Sequence, residues 1–224
     1  MTTDAKTLAA VIRLQNWLSP VFPVGGFAYS SGLESSANLG VVTNEEELKE
    51  WLGDFVANGP LHNDLILLNA SWKAIVQEEP LEDIASLARA IASSAERLIE
   101  TLDQGDAFLR AVSQWQSFSR NALPEKIAFP VAVGALSAKA DVPQVLALSS
   151  YLQAFINNQL QAAIRLSLIG QTGTSRLMAD FERIILTTAQ KMSDSTLNDL
   201  GSCAFMADIA AMKHETQRVR LFRT

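Results

Sequence analysis

A serine in a tight, glycine-containing turn is the first feature of this sequence that suggests chemistry. Residues 28–32 read A-Y-S-S-G and place Ser30 where a nucleophile elbow has its serine. Asp208 and His214 follow in the order that hydrolases of this kind use. An elbow needs a strand that runs into the turn, but two prolines interrupt the residues where that strand would lie. A serine hydrolase that uses Ser30 therefore stays an alternative and is not the main hypothesis.

Three side chains are of the types that bind transition metals: His62, His214 and Cys203. Their spacing matches no metal motif, so the sequence predicts no stable metal site. A transient nickel site at a subunit seam stays open, because nickel accepts imidazole and thiolate ligands. The other interpretation is that each histidine caps a helix or is hydrogen-bonded within the fold.

Residues 170–175, G-Q-T-G-T-S, resemble a phosphate-binding loop. A Walker loop requires a lysine after its last glycine, and this sequence has Thr174 there. A glycine turn between two helices accounts for the same pattern. We therefore expect that the chain binds no nucleotide itself, that it has no catalytic residues, and that it acts by binding other proteins.

Composition and periodicity predict that helices position the candidate residues described above. Alanine and leucine together outnumber valine, isoleucine and threonine, and residues 44–58 carry a single apolar helical stripe after a capping sequence, T-N-E-E. Further helices are predicted near 6–18, 61–78, 81–100, 104–120, 130–140, 143–168, 175–192 and 194–211. No segment alternates as a strand does. The sequence predicts a single-domain all-α bundle of about ten helices over residues 1–224.

The overall charge and the single cysteine exclude several classes of protein. A net charge of −6 on 224 residues argues against a general nucleic-acid binder, and one cysteine allows no intrachain disulfide. Residues 142–164 carry no charge, but their eight polar side chains favour a helix surrounded by protein over a membrane span. The first residues do not resemble a secretory signal, so we expect a cytoplasmic protein.

Charge is distributed unevenly along the chain. Residues 78–106 contain eight acidic and two basic residues, which predicts a solvent-exposed helical face. The last residues, T-Q-R-V-R-L-F-R-T, mix three arginines with three apolar side chains. Such a C-terminal segment either frays or docks on an acidic partner.

The segment 19–34, S-P-V-F-P-V-G-G-F-A-Y-S-S-G-L-E, reads as an ordered connector stiffened by Pro20 and Pro23. Its only charge is Glu34, and Arg165 similarly ends the uncharged run from 142. An isolated charge in neutral surroundings is either paired inside the fold or presented to a partner. Glu34 and Arg165 therefore either pair with each other or contact other proteins.

Four segments of the chain resemble the UreF family of urease accessory proteins. The first is residues 18–34, which match the family signature S-P-x-x-P-V-G-x-F-x-[YW]-S-x-G-L-E. The second and third are F-P-V-A-V-G-A-L-S-A at 129–138 and A-A-I-R-L-S-L-I-G-Q-T-G-T-S-R-L-M at 162–178. The fourth, D-I-A-A-M-K-H-E-T-Q-R-V-R-L-F-R-T, is similar to the family C-terminus. Ser175 and Thr224 depart mildly from the pattern, where glutamine and serine are common.

This resemblance implies a helical, non-catalytic maturation factor for urease. It implies a homodimer that assembles with UreD (also called UreH) and the GTPase UreG, regulates GTP hydrolysis, and helps to deliver nickel to apo-urease. It also implies that residues 213–224 form a C-terminal tail that becomes ordered on binding UreD/UreH. No nickel or other cofactor is expected to bind this chain stably.

The residues expected to act in these roles fall into two sets. The predicted partner-binding residues are Glu34, Arg165, His214, Glu215, Gln217, Arg220, Leu221, Phe222 and Arg223. The predicted structural residues of the opening motif are Pro20, Pro23, Gly25, Phe27, Tyr29, Ser30 and Gly32. Asn157, Gln159 and Gln161 either line a wet path for the ion or form a buried hydrogen-bond network.

Overall fold

The computed structural model of this chain describes residues 4–115 and 123–223. Within them the chain forms ten α-helices and no β-strand. In chain order these are α1 (Ala5–Trp17), α2 (Leu33–Asn38), α3 (Glu45–Asn58), α4 (Pro60–Val76), α5 (Glu82–Ala90), α6 (Ala95–Val112), α7 (Phe129–Lys139), α8 (Gln144–Arg165), α9 (Gln171–Ser193) and α10 (Phe205–His214). The prediction of an all-α fold with about ten helices is confirmed.

Local capping decides where several helices begin. The side chain of Asn44 accepts hydrogen bonds from the backbone N–H groups of Glu46 and Glu47, as the capping sequence predicts. Gly170 lies immediately before α9, so the glycine segment opens a helix as predicted. Ser94 caps α6 by accepting the Arg97 N–H at 3.1 Å.

The helix boundaries predicted between 81 and 120 are wrong. The break lies at 91–94, and α6 continues through the positions where the sequence predicted an interruption. Gly105 lies inside α6 because the helix approaches another segment closely: a Cβ there would lie 2.1 Å from the carbonyl oxygen of Ile127. Residues 116–120 of the predicted helix lie outside the described residues.

Two further elements differ from the prediction. The short helix α2 was not predicted, and the last helix begins at Phe205 instead of near 194. Thr196 and Asp199 form a capping box around a short 3₁₀ turn, and the N–H of Cys203 bonds to the carbonyl of Asn58. These contacts hold the connection to α10 in a non-helical path.

The core connects residues 19–32, which lie between α1 and α2 and which we call the opening segment, to the helices. Phe22, from that segment, packs against Phe108 with ring centroids 5.8 Å apart, and Trp17 meets the same ring edge-to-face at 5.8 Å. Near the chain's end, α10 packs on α2 and α6. This packing brings the C-terminus beside the opening segment. No helix in residues 4–115 and 123–223 is long and apolar enough to cross a membrane.

Candidate protein-interaction site

The last residues of the chain fold back on its body. Lys213 and His214 form the end of α10, and the residues that follow run along α2, α6 and the opening segment. Since Lys213 and His214 belong to α10, we use the name C-terminal tail from here on for residues 215–223 only. Phe222 is buried with 4% exposure, whereas Val219 and Leu221 are 84% and 52% exposed. The tail is therefore anchored at particular residues and open to solvent between them.

Glu34 is the main anchor of the C-terminal tail. Its carboxylate accepts the backbone N–H of Leu221 at 2.7 Å and that of Phe222 at 2.9 Å. Gly32 precedes α2 with φ +85°, and a Cβ at this glycine would lie 3.1 Å from the backbone nitrogen of Ala211. Glycine thus lets the turn bring the first residues of α2 against α10.

The charge state of Glu34 follows from these contacts. Burial by itself raises the pKa of the carboxyl group, but the N–H groups of Leu221 and Phe222 and the His214 ring lower it below its ordinary value. The carboxylate is therefore ionised at neutral pH, as an acceptor of several hydrogen bonds should be.

His214 joins Glu34 to a second carboxylate. The ring is fully buried; its Nε2 lies 3.1 Å from Glu34 and its Nδ1 lies 2.8 Å from Glu96 on α6. Arg220 donates to the other oxygen of Glu96 at 2.8 Å, and to the backbone carbonyls of Gln217 and Glu215. These four side chains tie α2, α6, α10 and the C-terminal tail together.

Glu215 and Gln217 shape the turn that leads into the tail. The Glu215 carboxylate accepts the N–H of Ala95, the first residue of α6, where the helix dipole favours a negative charge. The Gln217 side chain donates to the carbonyl of Val219 at 2.8 Å. These two hydrogen bonds fix the course of the backbone between α10 and the end of the tail.

The Arg165 guanidinium lies over the ring of Phe222. The guanidinium lies 4.1 Å from the centre of the Phe222 ring and donates to the Phe27 carbonyl at 2.5 Å. Arg165 thus joins the end of α8 to both the opening segment and the tail. The Glu34 carboxylate binds the tail and His214, so the hypothesis that Glu34 pairs with Arg165 is wrong.

The last arginine is held by the opening segment. Arg223 donates its backbone N–H to Ala28 at 2.8 Å, and its side chain contacts the Tyr29 hydroxyl at 3.2 Å and Asp103 at 3.3 Å. The Tyr29 hydroxyl in turn donates to Asp103 at 3.1 Å. Burial and the nearby Asp103 carboxylate raise the pKa of Tyr29 to about 12.

The prediction of a solvent-exposed acidic face over residues 78–106 is confirmed before α6 and is wrong for two acids of α6. The exposed acids are Glu78, Glu79, Glu82, Asp83 and Asp103, whereas Glu96 and Glu100 are buried at 8% and 3% exposure. Glu96 and Asp103 bind the tail, and Glu100 accepts from Ser31 and pairs with Arg97. The available signal was the charge match between acids spaced along one helix and the arginines of the tail.

The opening motif is divided between buried and exposed residues. Tyr29 and Ser30 are buried, and Gly25 has φ +76°. Phe27 is 72% exposed, and Pro20 and Pro23 are exposed too. The Ser30 hydroxyl accepts the Glu34 N–H at 3.3 Å. Both ring nitrogens of His214 face carboxylates, so this ring is not placed to activate Ser30. The geometry argues against a serine hydrolase.

An exposed apolar face lies on α10, next to the tail. Phe205, Ile209 and Met212 are 71%, 43% and 50% exposed and stand at i, i+4 and i+7, which is one side of a helix. Met206 beside them is 51% exposed. We call these four residues the α10 face. An exposed apolar surface of this kind is a candidate site for binding a partner. The sequence interpretation missed this face, although its spacing was readable.

A cavity of about 470 Å³ lies beside the anchored tail. Phe22, Phe27 and Phe222 contribute to its lining, together with Asn157 and Gln161 of α8. Gln159 is buried elsewhere on α8, and neither of its amide atoms has a hydrogen-bond partner among the described residues. The three polar residues of α8 therefore do not form one buried network.

The metal-binding residue types are dispersed. Among the described residues, no group of three or more histidine, cysteine or acidic side chains is arranged to hold a metal ion. Cys203 is exposed, and His62 lies 3.4 Å from the carbonyl of Asp199 through its Nε2. His214 is committed to Glu34 and Glu96.

Comparison with known proteins points in one direction. The family model described as UreF matches residues 42–182. The urease accessory protein UreF of Mesorhizobium japonicum is 46% identical over 99% of this chain and 100% of its own length. The proteins named urease accessory protein UreF 1 of Brucella anthropi and Brucella canis are 46% and 47% identical, over 100% of this chain and 98% and 97% of their own lengths.

Proposed function

The chain belongs to the UreF family of urease accessory proteins, and on this basis we propose that it supports urease maturation as a non-catalytic scaffold. In this proposal the chain binds UreD/UreH through the α10 face and the C-terminal tail. It also holds the GTPase UreG and regulates the GTP hydrolysis that accompanies nickel delivery to apo-urease. Nickel is cargo of the assembly and not a resident cofactor of this chain.

The observation that carries the docking proposal is the α10 face beside the tail. Phe205, Ile209 and Met212 are exposed together, although each would be stabilised by burial. The adjoining tail adds exposed Val219 and Leu221 between its anchored residues. The exposed apolar residues of the α10 face and of the tail fit a partner with an apolar groove.

The tail is already anchored on this chain in the absence of a partner. Six hydrogen bonds and one ion pair already join the tail to this chain's own α2, α6 and opening segment, including the two at Glu34. We propose that UreD/UreH selects this anchored conformation and covers it. Binding then has to order fewer residues than it would with a free tail.

Docking is tested with surface substitutions that leave the anchors intact. The double variant Ile209→Glu, Met212→Glu places two charges on the α10 face and should abolish retention of UreD/UreH in a co-purification assay. Losing even one interface anchor costs about 2 kcal/mol, roughly a 30-fold weaker complex. Leu186→Glu on α9, which is 55% exposed, is the matched control and should retain the partner.

A second variant separates the tail from the α10 face. Deleting residues 218–224 removes the tail anchors and should also prevent retention, while the circular-dichroism signal of the helices is kept. If the charged double variant and the truncation both retain UreD/UreH as the intact chain does, the docking proposal is wrong.

The link to the GTPase and to nickel is tested at the level of the assembly. The mass of the complex with UreD/UreH and UreG, measured with and without nucleotide, should correspond to two copies of this chain with two UreG protomers. Cells that lack this chain should make urease without its metal. Fully metallated, active urease in such cells would contradict the proposal and would favour a helical adaptor that has no connection to nickel.

A further inference from the structure

The cavity of about 470 Å³ is built almost entirely by the body of the chain. Its volume lies within the range of small-molecule sites, roughly 300–1,000 Å³. The opening segment and the helices α4, α6, α7, α8 and α9 contribute to its lining, whereas the C-terminal tail contributes Phe222 alone. The other walls of the cavity are therefore present wherever the tail lies.

Aromatic rings form much of the wall. Phe129 of α7 and Tyr151 of α8 both line the cavity, with ring centroids 5.5 Å apart. Phe22 and Phe27 of the opening segment and Phe155 of α8 line it as well. Such rings offer apolar surface to the body of an organic molecule, and their faces attract cations.

A buried group of charged side chains lines the same cavity. Arg97 of α6 pairs with Asp64 of α4 at 2.5 Å and with Glu100 at 3.2 Å. Their side chains are 13%, 9% and 4% exposed, so these three groups bury one net negative charge. Arg165, which also lines the cavity, donates to the Phe27 carbonyl instead. An unbalanced buried charge is unfavourable, so this part of the wall favours a ligand with a positive charge.

One oxygen of Asp64 is left for such a ligand. The Asp64 Oδ2 accepts hydrogen bonds from Arg97 at 2.5 Å and from the Tyr151 hydroxyl at 2.9 Å. The Asp64 Oδ1 accepts none from the described residues. Glu100, in contrast, accepts from Ser31 at 3.1 Å besides its pairing with Arg97. Polar atoms in a protein interior normally have a hydrogen-bond partner, so the Asp64 Oδ1 calls for a donor from the cavity.

We propose that this cavity binds a small organic cation, whose primary ammonium group donates to the Asp64 Oδ1 and whose apolar or aromatic body lies against the ring wall. The ammonium group supplies both the donor and the positive charge that the wall lacks. Tyr151, whose hydroxyl contacts Asp64, lies next to the ammonium position. A bare metal ion does not fit, because among the described residues no three histidine, cysteine or acidic side chains converge to hold one. The site is therefore separate from the handling of nickel.

The chemistry of the ligand is tested with three probes that differ only near one end. The probes 2-phenylethylamine, 2-phenylethanol and 3-phenylpropionate are titrated at neutral pH into the full chain, and amide signals are followed by NMR. The amine should shift the signals of Thr101 and Ala154, which line the cavity, in a saturable way. The alcohol should bind at least about tenfold more weakly, because its donor carries no charge, and the carboxylate should not bind at the same concentrations.

Two variants locate the ligand. Asp64→Asn should weaken binding of the amine at least about tenfold and leave binding of the alcohol nearly unchanged. Asp54→Asn, on the exposed surface of α3, is the matched control and should bind the amine as the intact chain does. Ala154→Leu fills part of the cavity without touching a charged group and should weaken binding of both probes. Circular dichroism checks that each variant folds, and if Asp64→Asn does not, the amine–alcohol comparison and Ala154→Leu decide.

Three results would overturn the proposal. The first is equal binding of the amine and the alcohol. The second is unchanged binding of the amine to folded Asp64→Asn or to Ala154→Leu. The third is the absence of a saturable shift at Thr101 and Ala154 when the amine is present at millimolar concentrations. All of these measurements use the chain without partner proteins, so they succeed or fail independently of the proposed role in urease maturation.

Discussion

The substitution Glu34→Gln tests whether one carboxylate fastens the C-terminal tail. It keeps the size of the side chain and removes its charge. The wild-type carboxylate accepts three hydrogen bonds, from Leu221 at 2.7 Å, Phe222 at 2.9 Å and His214 at 3.1 Å. The glutamine amide can accept through one oxygen only and turns an NH₂ group toward a donor.

The expected magnitude follows from these contacts. Hydrogen bonds to a charged group contribute roughly 1.5–3 kcal/mol each, and a buried donor left without a partner costs roughly 1–3 kcal/mol. Relief from burying a charge offsets part of the loss. We therefore expect the anchored tail to lose about 3 kcal/mol relative to the detached one, which is on the order of a 100-fold change in population.

Hydrogen exchange measures this population directly. The amides of Leu221 and Phe222 should exchange on the order of 100-fold faster in Glu34→Gln, because exchange follows the opening of the tail. Core amides of α8, such as that of Ile156, should be unchanged. Glu50→Gln on the exposed surface of α3 is the matched control and should leave all of these rates unaltered. Wild-type exchange at Leu221 and Phe222 in Glu34→Gln would refute the assignment of Glu34 as the anchor.

Three other predictions concern titration and packing. Burial and Asp103 raise the pKa of Tyr29 to about 12, and burial also raises the pKa of Tyr151 well above 10. The native chain should therefore show no tyrosinate absorbance near pH 10, where the tyrosines of the unfolded chain titrate. A native transition at that pH would contradict both environments. The pKa of Glu34 is lowered, so its stabilisation of the anchored tail is complete above the ordinary carboxyl pKa and is lost as the pH falls through the lowered value. When the pH is lowered, the amide signals of the tail should therefore report detachment only below the ordinary carboxyl pKa. Detachment at a higher pH would be inconsistent with the contacts of Glu34. Gly134→Ala should lower the melting temperature strongly, because the new Cβ would lie 2.2 Å from the carbonyl oxygen of Leu68 and overpacking costs about 1–3 kcal/mol or more. Gly53→Ala is the control, because Gly53 has open space around it, and it should not lower the melting temperature in this way.

Local signals were sufficient for the long helices. The predicted segments 143–168 and 175–192 correspond to α8 and α9, because each carries a continuous apolar stripe and a recognisable start. The break between α5 and α6 was misplaced: it was predicted between 100 and 104, and it lies at 91–94, where Ser94 caps α6. Gly105 does not interrupt α6, because the absence of a Cβ lets the helix approach the Ile127 backbone, and that contact is set by tertiary packing.

The candidate site was predicted in parts. Isolated charges singled out Glu34 and Arg165, and the mixed arginine and apolar ending singled out the tail. Which groups they contact was not predicted, since Glu34 and His214 are 180 residues apart in the chain. Glu96 was predicted to face solvent but is buried against Arg220, because an acidic helix with no visible partner looks the same in sequence as one that faces arginines from elsewhere.

The sequence by itself determined the family, the helical class and the poverty of catalytic groups, because motifs, periodicity and missing residue types are local properties. Only the tertiary structure decided that the tail lies on α2 and α6, that His214 bridges two carboxylates, and that the α10 face stays exposed. Those facts depend on which surfaces meet after the helices pack. A hydrogen bond between distant residues leaves no periodic trace in one sequence, so its existence is decided by packing.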